Sequence, residues 1–423
     1  MAISTKVGAF NTGTGAVSTT VPVTGTGFQP KVVIFWWTGR TETTDAIGRL
    51  TMNLGMGVAI SSTERWANSS YSLDASAAAE TSRRMDNASC VVTIDAVGAL
   101  TGALDVQSMD SDGFTLIVDD VMPYSMRVHY LALGGTDLTN YAANYLIGPT
   151  ITGNYDITSV GFQPDFVLFA STGMSSNPPV GGTATDAPAY GFAVSNSAQV
   201  AYTGNSDDGS TTMDTDKYLY AGECCAIIAA AGGVSVWQRD SFVSFLSNGF
   251  RLNRVEGTTA TRFFYLALKG GSYRIDNLLT KTDVTDIVET GFGFSPKAAM
   301  FMGHMTVQST VDTTQLGKQL SLGAFSSITD RGVQCCSDAD SVADSIVTTG
   351  VNHVSIYESV DSAATPAIVA LMDIKSVDSD GFTCVMDDVD TATNFVAYWA
   401  IGDTGVGLSI PVALHHLRQM RNT

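Results

Sequence analysis

One phrase occurs three times in this chain, and that constrains the fold more than any other feature. Gly27-Phe28-Gln29-Pro30-Lys31-Val32 returns as Gly161-Phe162-Gln163-Pro164-Asp165-Phe166 and again as Gly293-Phe294-Ser295-Pro296-Lys297-Ala298, at spacings of 134 and 132 residues. Three further landmarks keep that step. Gly57-Val58-Ala59 matches Gly191-Phe192-Ala193 and Gly323-Ala324-Phe325. Asp112-Gly113-Phe114 matches Asn248-Gly249-Phe250 and Asp380-Gly381-Phe382. His129-Tyr130-Leu131-Ala132-Leu133 matches Phe264-Tyr265-Leu266-Ala267-Leu268 and Ala397-Tyr398-Trp399-Ala400-Ile401. Four colinear landmarks in three copies define a triplicated unit. The boundaries fall at 1–138, 139–271 and 272–408, with a tail at 409–423. Only Gly134-Gly135-Thr136 and Gly270-Gly271-Ser272 punctuate the junctions, so the copies are expected to pack as one body.

Within a copy the periodicity is that of strands. Lys31 to Trp37 is a β-branched and aromatic run, repeated at Asp165 to Phe169. Asp105 to Met109 and Phe114 to Val118 flank Asp110-Ser111-Asp112-Gly113, a hairpin turn in which Gly takes the positive φ. Val128 to Leu133 reads as a closing strand. Turn signals about every ten residues indicate roughly eight strands per copy. The expected fold is all-β: three tandem homologous β-sandwich domains, jelly-roll-like. Ala75 to Arg84 is the best short helix candidate.

Charge removes several functions. The chain holds 22 Lys+Arg against 41 Asp+Glu, a net −19, which lacks the counter-charge that drives nucleic-acid binding. No apolar run is long enough to span a bilayer, so no membrane partner is expected. The N-terminal residues show no secretory h-region, and the expectation is a protein made in a cytoplasm that stays there or leaves by a route needing no signal. The six Cys, two pairs of them adjacent, show no zinc or redox spacing and read as buried reduced thiols.

The candidate chemistry is sparse. Asp110 and Asp112, repeated as Asp378 and Asp380, resemble the opening of a calcium loop, but copy two has no Asp at those places. Turn chemistry outweighs metal there, and neither a metal nor any other cofactor is expected. The neighbouring Asp119-Asp120 and Asp387-Asp388 could serve a glycanase, although adjacent strand residues face opposite ways. No nucleophile elbow and no phosphate loop is present, so no catalytic residue is assigned. Trp36, Trp37 and Trp66 are the glycan or interface candidates. One of Trp36 and Trp37 is expected on each face of its strand, and Trp66 is the ring expected to face solvent. The tail is basic on an acidic body: His415, His416, Arg418 and Arg421 follow an apolar run and form a docking arm for a neighbouring subunit.

Taken in order, Gly-Phe-x-Pro-Lys, Asp-Gly-Phe-Thr and His-Tyr-Leu-Ala-Leu-Gly-Gly resemble a repeat met in uncharacterised virion proteins of tailed bacteriophages. The resemblance covers all three copies, with Gly27 to Gly135 closest. It departs in copy two at Asn253-Arg254 and in copy three at Trp399-Ala400-Ile401. It implies a virion location and carries no catalytic residues. The leading expectation is therefore a non-enzymatic virion protein, an outer-capsid decoration or cement protein forming a pseudo-trimer, with other capsid or tail subunits, or itself, as partners. The alternative is a tail appendage or receptor-binding protein with lectin-like recognition of host glycans; a surface glycanase is third.

Overall fold

Val32 to Trp37 leaves no residue of its strand in contact with solvent: all six side chains are fully buried. A strand in an ordinary sandwich buries one face, and an unbroken apolar run means that both are covered. The computed structural model describes residues 2–183, 185–229, 235–307 and 312–404. Val33, Phe35 and Trp37 point into the sandwich core of their own repeat. Val32, Ile34 and Trp36 point the other way, into a second core shared by all three repeats. The alternation recurs at Val167 and Phe169 against Phe166, Leu168 and Ala170. It recurs again at Ala299 and Phe301 against Ala298, Met300 and Met302.

The described residues form eleven strands per repeat. In the first these are β1 (Ile3–Asn11), β2 (Thr20–Thr24), β3 (Val32–Trp37), β4 (Ala46–Arg49), β5 (Met52–Ala59), β6 (Arg65–Ser72), β7 (Thr81–Asp86), β8 (Val91–Ile94), β9 (Leu100–Asp110), β10 (Gly113–Asp120) and β11 (Arg127–Gly135). The second repeat runs from β12 (Asn140–Ile147) to β22 (Arg262–Lys269), the third from β23 (Ser272–Leu279) to β33 (Asn394–Gly402), so equivalent strands differ by eleven. Each repeat has a large sheet, β1-β11-β3-β5-β6-β7 in the first, packed on a small one, β2-β10-β9-β8. First pairs with last and second with penultimate, as in a jelly roll; the inner strands run on as meanders. The protein is all-β and is built of tandem sandwiches, with every ladder antiparallel.

The landmarks have physical reasons. Gly57, Gly191 and Gly323 lie where the chain entering the small sheet crosses the large one. A Cβ on them would sit 1.8, 2.1 and 2.0 Å from the carbonyl oxygens of Cys90, Cys224 and Ile356. Phe114, Phe250 and Phe382 are fully buried at the centre of each sandwich. The Asp110–Gly113 hairpin is as expected, with Gly113 at φ 147°. All six Cys are free and buried.

Two expectations are corrected. Ala75 to Arg84 is no helix: Ala75 sits at φ 59°, and Thr81 onward is β7, held by ladders on both sides. The strand number rises from about eight to eleven because short, half-buried segments such as β4 carry no hydrophobic signal of their own. The tail, with His415, His416, Arg418 and Arg421, lies outside the described residues.

Candidate functional site

The seventh strand of each large sheet comes from another repeat. β4 leaves the first repeat and pairs with β29 (Val347–Asn352) of the third, Ile47 opposite Gly350. The equivalent β15 (Val180–Thr183) leaves the second and pairs with β7 of the first. β26 (Gln315–Leu316) leaves the third and pairs with β18 (Thr215–Tyr220) of the second. One to three, three to two and two to one closes a ring. Each repeat donates one edge strand and has one edge covered, which removes exposed ladder groups at all three junctions.

Side chains reinforce every junction. Between repeats one and three, Asp74 Oδ1 accepts from Val347 N at 2.9 Å, and Arg49, held by Asp74 within its own repeat, donates from Nη2 to Ser345 O at 3.1 Å. Ala75 N donates to Ser345 O at 2.9 Å, so the segment read as a helix is a clasp. Lys6 pairs with Asp330 at 2.7 Å. His129 is buried on the same junction, stacked on Trp36 with centroids 5.7 Å apart. Burial, then His353 and Arg127, push its pKa well below the usual value, so it is neutral. Gln334 Nε2 meets its Nδ1 at 3.1 Å, and Gln334 Oε1 accepts from Thr38 N at 2.8 Å.

Trp66 belongs to the junction of repeats one and two. Its Nε1 donates to Tyr265 O at 3.1 Å and its ring stacks on Phe264 at 5.2 Å. The solvent-facing reading of Trp66 is therefore wrong: its polar flanks gave no sign of the second repeat that covers it. Trp36 and Trp37 do occupy opposite faces, but both are fully buried, so none of the three rings presents a face to a glycan. Trp36 and Trp66 act as interface residues within the chain.

Between repeats two and three lies a buried ion cluster. Lys318 Nζ is 2.5 Å from Asp186 Oδ2 and 2.6 Å from Asp338 Oδ2, and all three side chains are inaccessible. Burial raises the Asp186 pKa against the pull of Lys318, while the two carboxylates hold Lys318 protonated. Ser206 Oγ donates to Asp338 Oδ2 at 2.7 Å. Nothing in the sequence pattern marked these residues, because Lys318 and Asp186 are 132 positions apart.

The turn carboxylates hold loops. Asp112 Oδ1 accepts from Gly27 N and Asp380 Oδ1 from Gly293 N, each at 2.6 Å. Asp110 accepts from Ser108 Oγ and Thr115 Oγ1, both at 2.7 Å, and those hydroxyls lower its pKa. Asp378 accepts from Ser376 and Thr383 at 3.0 Å. Two landmark phrases thus touch in space, and in copy two the Asn248 carbonyl takes the bond from Gly161 N. Among the described residues no group of three or more His, Cys, Asp or Glu is placed to hold a metal ion.

No family model and no curated protein matches the chain. Among solved structures, the crystal structure of Pseudomonas aeruginosa OccK5 (OpdH) aligns at 8% identity over 88% of this chain and 96% of that one. Its TM-score is 0.10, and at that value the likeness carries no argument.

Proposed function

We propose that the chain is a non-enzymatic structural protein of a virion, an outer-capsid decoration protein that works as a one-chain pseudo-trimer. The supporting observation is the closed exchange of β4, β15 and β26. Three diverged copies held in a ring match a threefold junction of shell subunits, where one chain replaces three. The large sheets spend both faces on internal cores. That leaves the small sheets and the loops at the two ends of the ring as the surfaces that can meet other virion subunits. The sequence resemblance supplies the virion setting.

The test is purification of the phage particles that carry this chain, quantitative mass spectrometry for its copy number, and electron cryo-microscopy. The expected result is one chain per threefold junction, on the outside of the head. Density on the tail, or absence from washed particles, overturns the reading.

A further inference from the structure

A cleft of about 380 Å³ opens at the mouth of the first sandwich, lined among others by Arg40, Glu42, Tyr71, Asp95, Thr101 and Tyr124. Its counterpart in the second repeat is filled. Hairpin register places Val106 opposite Leu116 and Phe242 opposite Leu252, which makes Thr101 and Trp237 equivalent. Trp237 packs within 3.2 Å of where a Cβ on Gly173 would lie, and Arg83 of the first repeat covers its ring at 4.9 Å. Gly173 is the counterpart of Gly39, which lines the open cleft; both hold positive φ, 73° and 93°. Arg40 has Met174 at its equivalent place, and the backbone bonds Arg127 N to Arg40 O and Arg262 N to Met174 O correspond. The first repeat has thus exchanged a plug for a cavity lined with hydrogen-bonding groups.

The lining selects a ligand class. Tyr71 and Tyr124 are half-buried and offer apolar ring surface. Arg40 Nη1 pairs with Glu42 Oε1 at 3.1 Å and Glu42 Oε2 accepts from Thr41 N at 2.9 Å, while Arg40 Nε and Nη2 are closed off from the cleft. Glu42 and Asp95 add carboxylates whose remaining lone pairs can accept; Asp95 Oδ1 already takes Val97 N and Ala99 N at 3.0 and 2.9 Å. A molecule with C–H faces for the tyrosine rings and hydroxyls that donate to the carboxylates suits this lining. Two carboxylates against one guanidinium disfavour an anion.

We infer that the first repeat carries a binding site for a neutral pyranose residue of a glycan. The volume accommodates one or two sugar rings, within the range of ordinary ligand pockets. The inference goes beyond the structural role and does not depend on it, since the site lies within one repeat of the free protein.

The test is saturation-transfer difference NMR on the full-length protein. The probes are methyl pyranosides of glucose, galactose, mannose and N-acetylglucosamine, with methyl glucuronide as the charged control. At least one neutral glycoside is expected to bind saturably with Kd near or below about 1 mM, and more tightly than the glucuronide. Thr101→Trp, which installs the residue of the second repeat, is expected to weaken binding at least about tenfold. Tyr71→Ala, at a half-exposed position, is expected to do the same and decides the matter if Thr101→Trp fails to fold. The inference is overturned if no neutral glycoside binds, if only the glucuronide binds, or if folded variants bind as the parent does.

Discussion

Lys318 and Asp186 occupy equivalent places in neighbouring repeats and meet 2.5 Å apart. Lys318 faces Asp338 across its hairpin, Asp186 faces Ser206, and in the first repeat Met52 faces Ser72. Equivalent groups that touch must lie near the pseudo-threefold axis. In a homotrimer they would be identical, three lysines or three aspartates in one dry place. Triplication within one chain allowed the positions to diverge into an apolar residue, an acid and a base.

That divergence makes a stability prediction. Lys318→Met leaves two buried carboxylates without a cation and should cost about 3–5 kcal/mol. The triple change Lys318→Met, Asp186→Met and Asp338→Ser gives all three repeats the pair found in the first, and should recover most of that loss. Denaturant unfolding of the single and triple variants checks it; a triple variant no better than the single one contradicts the axis argument.

Gly191 tests the backbone crossing. A methyl group there would lie 2.1 Å from Cys224 O and 2.8 Å from Val200 O, both backbone atoms that cannot step aside. Gly191→Ala should therefore cost about 3 kcal/mol or more, at the upper end for an overpacked site. Thermal unfolding of the variant is the measurement. A change below about 1 kcal/mol would show that the crossing has room.

How much was legible depended on where the partner of each residue sits in the chain. The Asp110–Gly113 hairpin was readable because both strands and the turn lie within one short window. Val32 to Trp37 was readable as a strand with Trp36 and Trp37 on opposite faces; that both faces are buried emerged only in the fold. What covers it was not readable: the shared core draws on all three repeats. Trp66 looked exposed because its neighbours are polar, yet its partner Tyr265 is 199 residues away. β4, with Gly48 and Arg49 and only half-buried residues, had no signal at all until β29 was placed beside it.

Trp66 accordingly gives a third prediction. Its ring fills a junction between repeats and its Nε1 holds Tyr265 O. Trp66→Ala should cost about 3–5 kcal/mol. Trp66→Phe, which keeps part of the stack and loses the hydrogen bond, should cost about 1–2 kcal/mol by unfolding measurements. In the parent, acrylamide should quench this tryptophan far less than a free indole; efficient quenching would contradict its burial.

Glu358 makes stability depend on pH. Its side chain is buried behind the edge pair of Gly350 and Ile47, where a Cβ on Gly350 would lie 3.1 Å from Oε2. Burial, with Asp45 adding to it, pushes the Glu358 pKa up to about 8, against weaker opposition from Cys335 and Arg40. An unfolded glutamate titrates near 4.3, so between these values the folded state holds a proton that the unfolded state has released. Stability from this group is fully present below the unfolded pKa and is lost as pH rises through the folded one, by up to about 1.4 kcal/mol per pH unit. Glu358→Gln keeps the neutral shape and cannot ionise. Asp216, shifted to about 6, and Lys217, shifted to about 7, titrate in the same window but are common to both proteins. The difference between parent and variant therefore isolates Glu358. Denaturant unfolding should give similar stabilities near pH 4.5 and a variant more stable by about 3 kcal/mol or more near pH 8. A difference that stays flat from acid to alkaline pH would mean that Glu358 ionises as freely in the folded protein as in the unfolded chain.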